Sequence, residues 1–246
     1  VIRAPYAPLV HAAPFQLGDT VALDPVAAAG LRFRKVNVKE AFTLCDAAGQ
    51  YFRASLTALS DAHAEAVVYE AMPAAPESPV EITLVCAVLQ RQRMLWVAQK
   101  AAELGVARIQ PVFTLKSVQA DGLAHEKAHA WPAQALKGAR QCRRGSVPEM
   151  APTVHLEAFT ATALWKSADV RVFLDDRADE AGNPLTACRS LMLVVGPEGG
   201  FANVERQRLV DAGARPLRLG GRVLRAETAV VAGLVVAQHR LGDMGL

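Results

Sequence analysis

Leu191-Met-Leu-Val-Val-Gly-Pro-Glu-Gly-Gly-Phe201 is an apolar run that breaks into a glycine-rich turn. Leu191–Val195 carries no polar side chain, the mark of a strand buried on both faces. Asn203 then offers an N-cap, and Glu205 falls in the first helical turn, where the helix dipole favours a carboxylate. Ligands in open α/β sheets lie beyond the carboxyl ends of strands. Glycines at such a place let the backbone approach a flat ligand closely. A tight structural turn is the competing reading of the same residues. The run is no phosphate loop. The chain has no G-x-x-x-x-G-K followed by Ser or Thr, and Gly196, Gly199 and Gly200 do not fit G-x-G-x-x-G.

About twenty residues on, Leu219-Gly-Gly-Arg-Val-Leu-Arg-Ala-Glu-Thr228 repeats the theme of a turn opening a helix. Gly220 and Gly221 make the turn. Arg222, Arg225, Glu227 and Thr228 gather where the helix begins. The helix behind them, Ala229–Ala237, is apolar nearly all round and is expected to be buried. Charged groups at the mouth of a buried helix need partners. An Arg225–Glu227 pair and a bound ligand are the two candidates.

Working outward, strands and helices alternate. Strand-like runs are Ile82–Leu89, Ala107–Phe113, Val170–Leu174 and Pro216–Leu219. Helix-like runs are Gln92–Leu104, a stretch within Leu123–Arg143, Val204–Ala212 and Ala226–Leu241, and Gly105 and Gly213 suit C-terminal caps. This order implies an α/β fold with a mostly parallel sheet flanked by helices. Upstream, Phe42–Cys45 and Tyr51–Leu56 flank the turn Asp46-Ala-Ala-Gly49, and Glu65–Glu70 reads as a further strand. Together they suggest a small β-barrel of roughly 70 residues. Met72-Pro-Ala-Ala-Pro-Glu-Ser-Pro79, with three prolines, reads as a linker.

Composition narrows the function classes. Of the 246 residues 52% are hydrophobic, enough for a core, and the net charge of +3 is mildly basic, compatible with a nucleic-acid partner. Cys45, Cys86, Cys142 and Cys188 form no C-x-x-C pair, so reduced thiols in a cytoplasmic protein are expected and neither a zinc ribbon nor a redox motif. No secretory leader is read at the start, and Ala229–Ala237 falls short of the ~20 residues a membrane span needs. His125-Glu-Lys-Ala-His129 matches H-E-x-x-H. Its surroundings (Asp121, Lys127, then Trp131-Pro132) are polar and soon interrupted, so a chance match on a solvated helix is expected, with no metal. No G-x-S-x-G elbow is present, and Ser146 and Ser190 lie in no nucleophile setting.

Gly196–Phe201 and Leu219–Ala229 resemble the two signature loops of the RsmE family, the 16S ribosomal RNA uracil-N3 methyltransferases of the SPOUT class. Gln99-Lys-Ala-Ala-Glu-Leu-Gly-Val106, running into Ile109-Gln-Pro111, is a third likeness, and Gln141-Cys142, Arg144 and Pro148 are weaker ones. In outline the resemblance covers nearly the whole chain. It implies a PUA-like RNA-binding β-barrel over residues 1–72, a linker over 73–79, and a trefoil-knotted methyltransferase domain over 80–246. It implies a homodimer that uses S-adenosylmethionine (SAM) to methylate a uridine of ribosomal RNA, within the small subunit. The residues that would hold SAM are Leu174, Gly196, Pro197, Glu198, Gly199, Gly200, Leu219, Gly220, Arg222, Val223, Leu224, Arg225 and Thr228, with the Leu174-Asp-Asp-Arg177 turn a weaker third loop. The departures fall on the RNA-facing side: Ala29-Gly-Leu-Arg-Phe-Arg-Lys35 and Asn37-Val-Lys-Glu40 replace the family's usual barrel segment, Arg140-Gln141 stands where Glu-Gln is usual, and Lys116 where Arg is usual.

The chemistry asks for a cation to steady a uracil anion and a base to take the N3 proton. Arg225 is the candidate cation, and Glu198 and Glu227 the candidate proton acceptors or orienting groups. RNA would be held mainly through its phosphates. Candidate contacts are Arg32 and Arg34 (with Lys35 and Lys39), Arg91, Arg93, Arg140, Arg143 and Arg144, helped by Lys137; a solvated basic face is the plain alternative. The rival functions are a methyltransferase of the same class acting on another base or a ribose 2'-hydroxyl, and a non-catalytic RNA-binding homologue.

Overall fold

The structure is a computed structural model that describes residues 5–61, 63–178 and 184–245. The chain forms two units: Val1–Glu77 with Ala139–Val147, and Ser78–Gly138 with Pro148–Leu246. The break after Glu77 falls within the proline-rich stretch. The assignment of Ala139–Val147 to the first unit differs from a simple division at that stretch.

In the first unit, β1 (Thr20–Leu23), α1 (Pro25–Phe33), β2 (Ala41–Cys45), β3 (Tyr51–Leu59) and β4 (Ala64–Ala71) follow in order. The strands form an antiparallel sheet in the order β1-β4-β3-β2. The β2–β3 turn is the expected one: Asp46 Oδ1 accepts from Ala48 N and Gln50 N, both at 2.9 Å. Gly49 sits at φ +82, where a side chain would be strained. Helix α1 was not expected, although its signal was present. Asp24 caps it, accepting from Ala27 N at 2.7 Å, and Pro25 opens it. Arg32 and Arg34 therefore lie at a helix end and not on a strand edge. Leu23, Leu31, Leu44, Leu56 and Val68 fill the core between helix and sheet.

In the second unit, β5 (Glu81–Ala87), α2 (Arg91–Glu103), β6 (Arg108–Phe113), β7 (Glu149–Met150), β8 (Val154–His155), β9 (Val170–Leu174), β10 (Ser190–Val195) and β11 (Arg215–Leu217) build one sheet with its first helix. Its order is β11-β9-β10-β5-β6-β7, with β8 also on β6, and every pairing is parallel. Parallel strands need covered faces, and β10 shows how both are served. Leu191, Leu193 and Val195 join one core with Met94 of α2 and Val230 and Leu234 of α7 (Ala226–Leu241). Met192 and Val194 join the opposite core with Trp165 of α5 (Ala163–Ser167), Phe159 of α4 (Leu156–Thr160) and Leu209 of α6 (Asn203–Asp211). Gly233 lets α7 lie flat on the sheet: a Cβ there would come within 2.9 Å of Leu174 Cδ1. Buried Gln238 of α7 donates to Leu104 O at 2.7 Å and accepts from Ser78 Oγ at 3.0 Å, latching the end of α2. The expected caps Gly105 and Gly213 have φ +77 and +82.

Three expectations are corrected. The H-E-x-x-H segment is not an α-helix: Ala120–Gly122 and Ala128–Ala130 are short 3-10 turns, and Lys127 between them has φ +53. The helix α3 (Trp131–Gln141) starts at Trp131-Pro132, because proline suits a first turn. The N-cap of α6 is Ala202, not Asn203; Glu205 does the capping by accepting from Ala202 N at 2.9 Å. Finally, α7 is not buried all round. Val235 is 39% exposed, as is Trp96 of the adjoining α2 at 40%.

Candidate active site

A cavity of about 290 Å³ opens beyond the carboxyl ends of β9, β10 and β11. Strand order reverses between β5 and β10, and the loop that leaves β10 there walls the cavity, beyond the carboxyl strand ends where α/β sheets bind ligands. One wall is the first signature loop, Gly196–Phe201. The facing wall is Leu217, Leu219, Gly220, Arg222, Val223 and Leu224, and Leu174–Arg177 closes the side.

The first loop is tied down at every step. Phe201 is 5% exposed and stacks edge-on against Phe173, with ring centroids 6.2 Å apart. Its ring lies under Gly196, where an added Cβ would sit 3.1 Å away. Gly200 N donates to Pro197 O at 2.9 Å, closing a turn with Gly200 at φ +64. Lys116 Nζ donates to Gly199 O at 2.9 Å. Glu205, 4% exposed, caps α6 and also accepts from Leu115 N at 2.8 Å. Arg93 Nη1 donates to Glu198 Oε1 at 2.6 Å, and this hydrogen bond raises the Arg93 pKa. The third loop is fixed differently. Asp175 accepts from Arg206 Nε at 2.7 Å, and Arg177 Nη1 donates to Asn203 Oδ1 at 3.3 Å.

The second loop is open. Val223 is 82% exposed, Arg222 and Arg225 are exposed, and Gly220 has φ +130 with nothing within 4 Å of an added Cβ. Among the expected cofactor residues, Leu174, Gly196, Pro197, Glu198, Gly199, Gly200, Leu219, Gly220, Arg222, Val223 and Leu224 line the cavity; Arg225 and Thr228 do not. Asp175, Asp176 and Arg177 of the third candidate loop line it as well, and Phe201 and Arg206 line it without having been expected. The Leu174–Arg177 turn had been singled out, but the polar wall it makes depends on the Asp175–Arg206 pair, which spans 31 positions and leaves no local signal.

Of the two candidate arrangements, the Arg225–Glu227 pair is not formed. Glu227 lies 3.6 Å from Arg93 Nε, so Arg93 joins a carboxylate from each signature loop. Glu227 Oε2 is buried and has no hydrogen-bond partner among the described residues. Cys86, wholly buried at the end of β5, has its thiol pushed up to about 12 by burial, which makes it a poor nucleophile. Among the described residues no group of three His, Cys, Asp or Glu is gathered to hold a metal ion.

The expected RNA contacts sort by burial. Arg34 is 5% exposed and donates to Gly30 O, Ala7 O and Gly145 O. Arg144 is 8% exposed and bound to Glu77 at 2.9 Å. Both guanidiniums are buried and already hydrogen-bonded inside the first unit, so neither belongs to an exposed basic face. Arg93 is committed to Glu198 and Glu227, and Arg91 is half-buried. Arg32 donates to Ser60 O and stays exposed. Arg140 and Arg143 pair with Glu40 and Glu70 while their side chains remain 40% and 57% exposed.

The RNA methyltransferase domain family matches residues 76–238. A ribosomal RNA small subunit methyltransferase E of Mycobacterium bovis is 31% identical over 215 residues, 82% of this chain and 79% of that protein. One from Buchnera aphidicola is 28% identical over 172 residues, 68% of this chain and 69% of its own. Among solved structures, a ribosomal RNA small subunit methyltransferase E from Neisseria gonorrhoeae bound to S-adenosyl methionine is similar at TM-score 0.69 and 28% identity, covering 97% of this chain and 99% of that one. A methyltransferase from Legionella pneumophila in complex with SAM is similar at TM-score 0.67 and 29% identity, covering 96% and 98%.

Proposed function

The chain belongs to the RNA methyltransferase family, among the ribosomal RNA small subunit methyltransferases E, and on that premise we propose that it methylates uracil N3 of a uridine in 16S ribosomal RNA with SAM as donor. The observation that carries the reading is the cavity walled by both signature loops beyond the carboxyl ends of β9, β10 and β11. Its residues suit such a donor. Bare backbone at Gly196, Gly199, Gly200 and Gly220 allows close approach, Leu174, Val195, Leu217, Leu219 and Leu224 give apolar walls, and Asp175, Asp176 and Arg177 give a polar side.

The sulfonium of SAM makes its methyl group electrophilic, so the chain's task is to place the uracil ring and remove a proton. Holding N3 in line with the methyl supplies up to ~7–11 kcal/mol of the barrier in favourable cases. The N3 proton would pass to a carboxylate, leaving an anionic N3 to take the methyl as the methyl–sulfur bond breaks and S-adenosylhomocysteine leaves. Glu198 is assigned this role because it lines the cavity, and Arg93 fixes its position. Glu227 holds Arg93 from the other loop. Arg225, exposed at the cavity rim, is assigned the cation that steadies the uracil anion. Arg32, Arg140 and Arg143 are the proposed phosphate contacts. The strand order supports a trefoil knot through the two loops, and the sheet with α1 supports a PUA-like barrel in the first unit. Trp96 of α2 and Val235 of α7, both exposed, support a homodimer through these helices, and the proposed site of action is the cytoplasm.

The test is methyl transfer from labelled SAM to small ribosomal subunits that lack the modification, followed by nucleoside mass spectrometry. The expected product is 3-methyluridine. A 2'-O-methylated nucleoside or another methylated base would establish the rival chemistry, and SAM binding without transfer to any ribosomal particle would overturn the proposed substrate.

A further inference from the structure

The first unit contains a second cavity, of about 140 Å³, far larger than the ~10–15 Å³ that one water needs. Four arginines line it: Arg34, Arg53, Arg140 and Arg144. Among the described residues Glu40 pairs with Arg140 and Glu77 with Arg144. Arg34 spends its donors on uncharged carbonyls. Burial lowers its pKa to about 10, which leaves it a cation at neutral pH.

Arg53 is the most telling of the four. It is 9% exposed, and its Nη1 donates to Thr43 Oγ1 at 2.8 Å. Thr43, 4% exposed, is held in turn by donating to Arg143 O at 2.7 Å. That chain of bonds fixes the guanidinium, yet Arg53 Nε is buried with no hydrogen-bond partner among the described residues. A buried charged donor without an acceptor is costly. The cavity that Arg53 lines has room for a group that supplies the acceptor. Guanidinium groups recognise tetrahedral oxyanions through fixed forks of N–H donors.

We propose that this cavity binds a phosphate group, with Arg53 as its principal ligand. The group is either a backbone phosphate of RNA or free inorganic phosphate, which share this chemistry. The site is separate from the SAM cavity and does not depend on the methyl-transfer reading.

The experiment titrates the full chain with inorganic phosphate at constant ionic strength in chloride, following the Arg53 Nε–H resonance by NMR and heat by calorimetry. The expected result is saturable binding that shifts that resonance, weakened about 10–100-fold in Arg53→Met and weakened in Arg53→Lys, which keeps the charge and loses the fork. An unmoved Arg53 resonance in the wild-type chain overturns the proposal whatever the variants do. Undiminished binding in folded variants overturns it equally. Adding a small-subunit RNA fragment to the loaded protein then assigns the source. Displacement of the ion points to an RNA phosphate, and retention of the ion alongside bound RNA points to free phosphate.

Discussion

The two loops that face each other across the SAM cavity are built on opposite principles. Gly196–Phe201 is held by a buried aromatic ring, a backbone turn, a lysine and an arginine. In Leu219–Arg225 the side chain of Leu219 packs against the core, but Val223 is 82% exposed. The first wall is pre-organised by the chain itself. The second carries its apolar side chains toward something the chain does not supply. Binding to a pre-formed wall avoids ordering costs, whereas closing the open wall spends part of the binding free energy. The comparison assigns positioning to the first loop and closure to the second.

That division can be broken in several ways. The largest effect is expected from Glu198→Gln in the fixed loop. Single-turnover methyl transfer should fall by ~10²–10⁴-fold with SAM affinity nearly kept; a parallel loss of both would make Glu198 a binding residue only. Next comes Phe201→Ala, which removes the ring beneath Gly196 and should cost ~3–5 kcal/mol of stability, read as a lowered midpoint in urea. A midpoint close to wild type would mean the loop is not held as described. Gly220→Ala imposes ~1–3 kcal/mol of backbone strain on the open loop. Calorimetry should record about a tenfold loss of SAM affinity with an almost unchanged melting temperature, since the loop is exposed. A large drop in melting temperature would show that the second loop is as integral as the first. The smallest effect is expected from Val223→Ala, within ~0.5 kcal/mol in stability, while SAM affinity declines measurably. Unchanged affinity would remove Val223 from the closing wall.

How far this was legible in the sequence follows the same line between local and distant causes. Strand β10, the helix α7 and the glycine caps at Gly105 and Gly213 are written in local pattern, and the structure keeps them within a residue or so. Helix α1 was equally local, signalled by Asp24-Pro25, but went unread among the strand-like runs around it. The roles of Arg34, Arg93 and Arg144 could not be read, because a charged side chain in a sequence carries no sign of its partner. Glu198 lies 105 positions from Arg93, and Glu77 lies 67 from Arg144. The placement of Ala139–Val147 in the first unit is of the same kind: bonds such as Val147 N to Tyr6 O depend on chain return, not on pattern. The signature loops identified the cavity, and distant pairing decided which charges serve it.

The most direct test of the central claim is a crystal structure of this chain grown with SAM. The account expects electron density for the donor between Gly196–Gly200 and Leu219–Leu224, with the second loop drawn down over it and Val223 losing its exposure. Density at any other place, or a donor bound with Leu219–Leu224 left open to solvent, would contradict it.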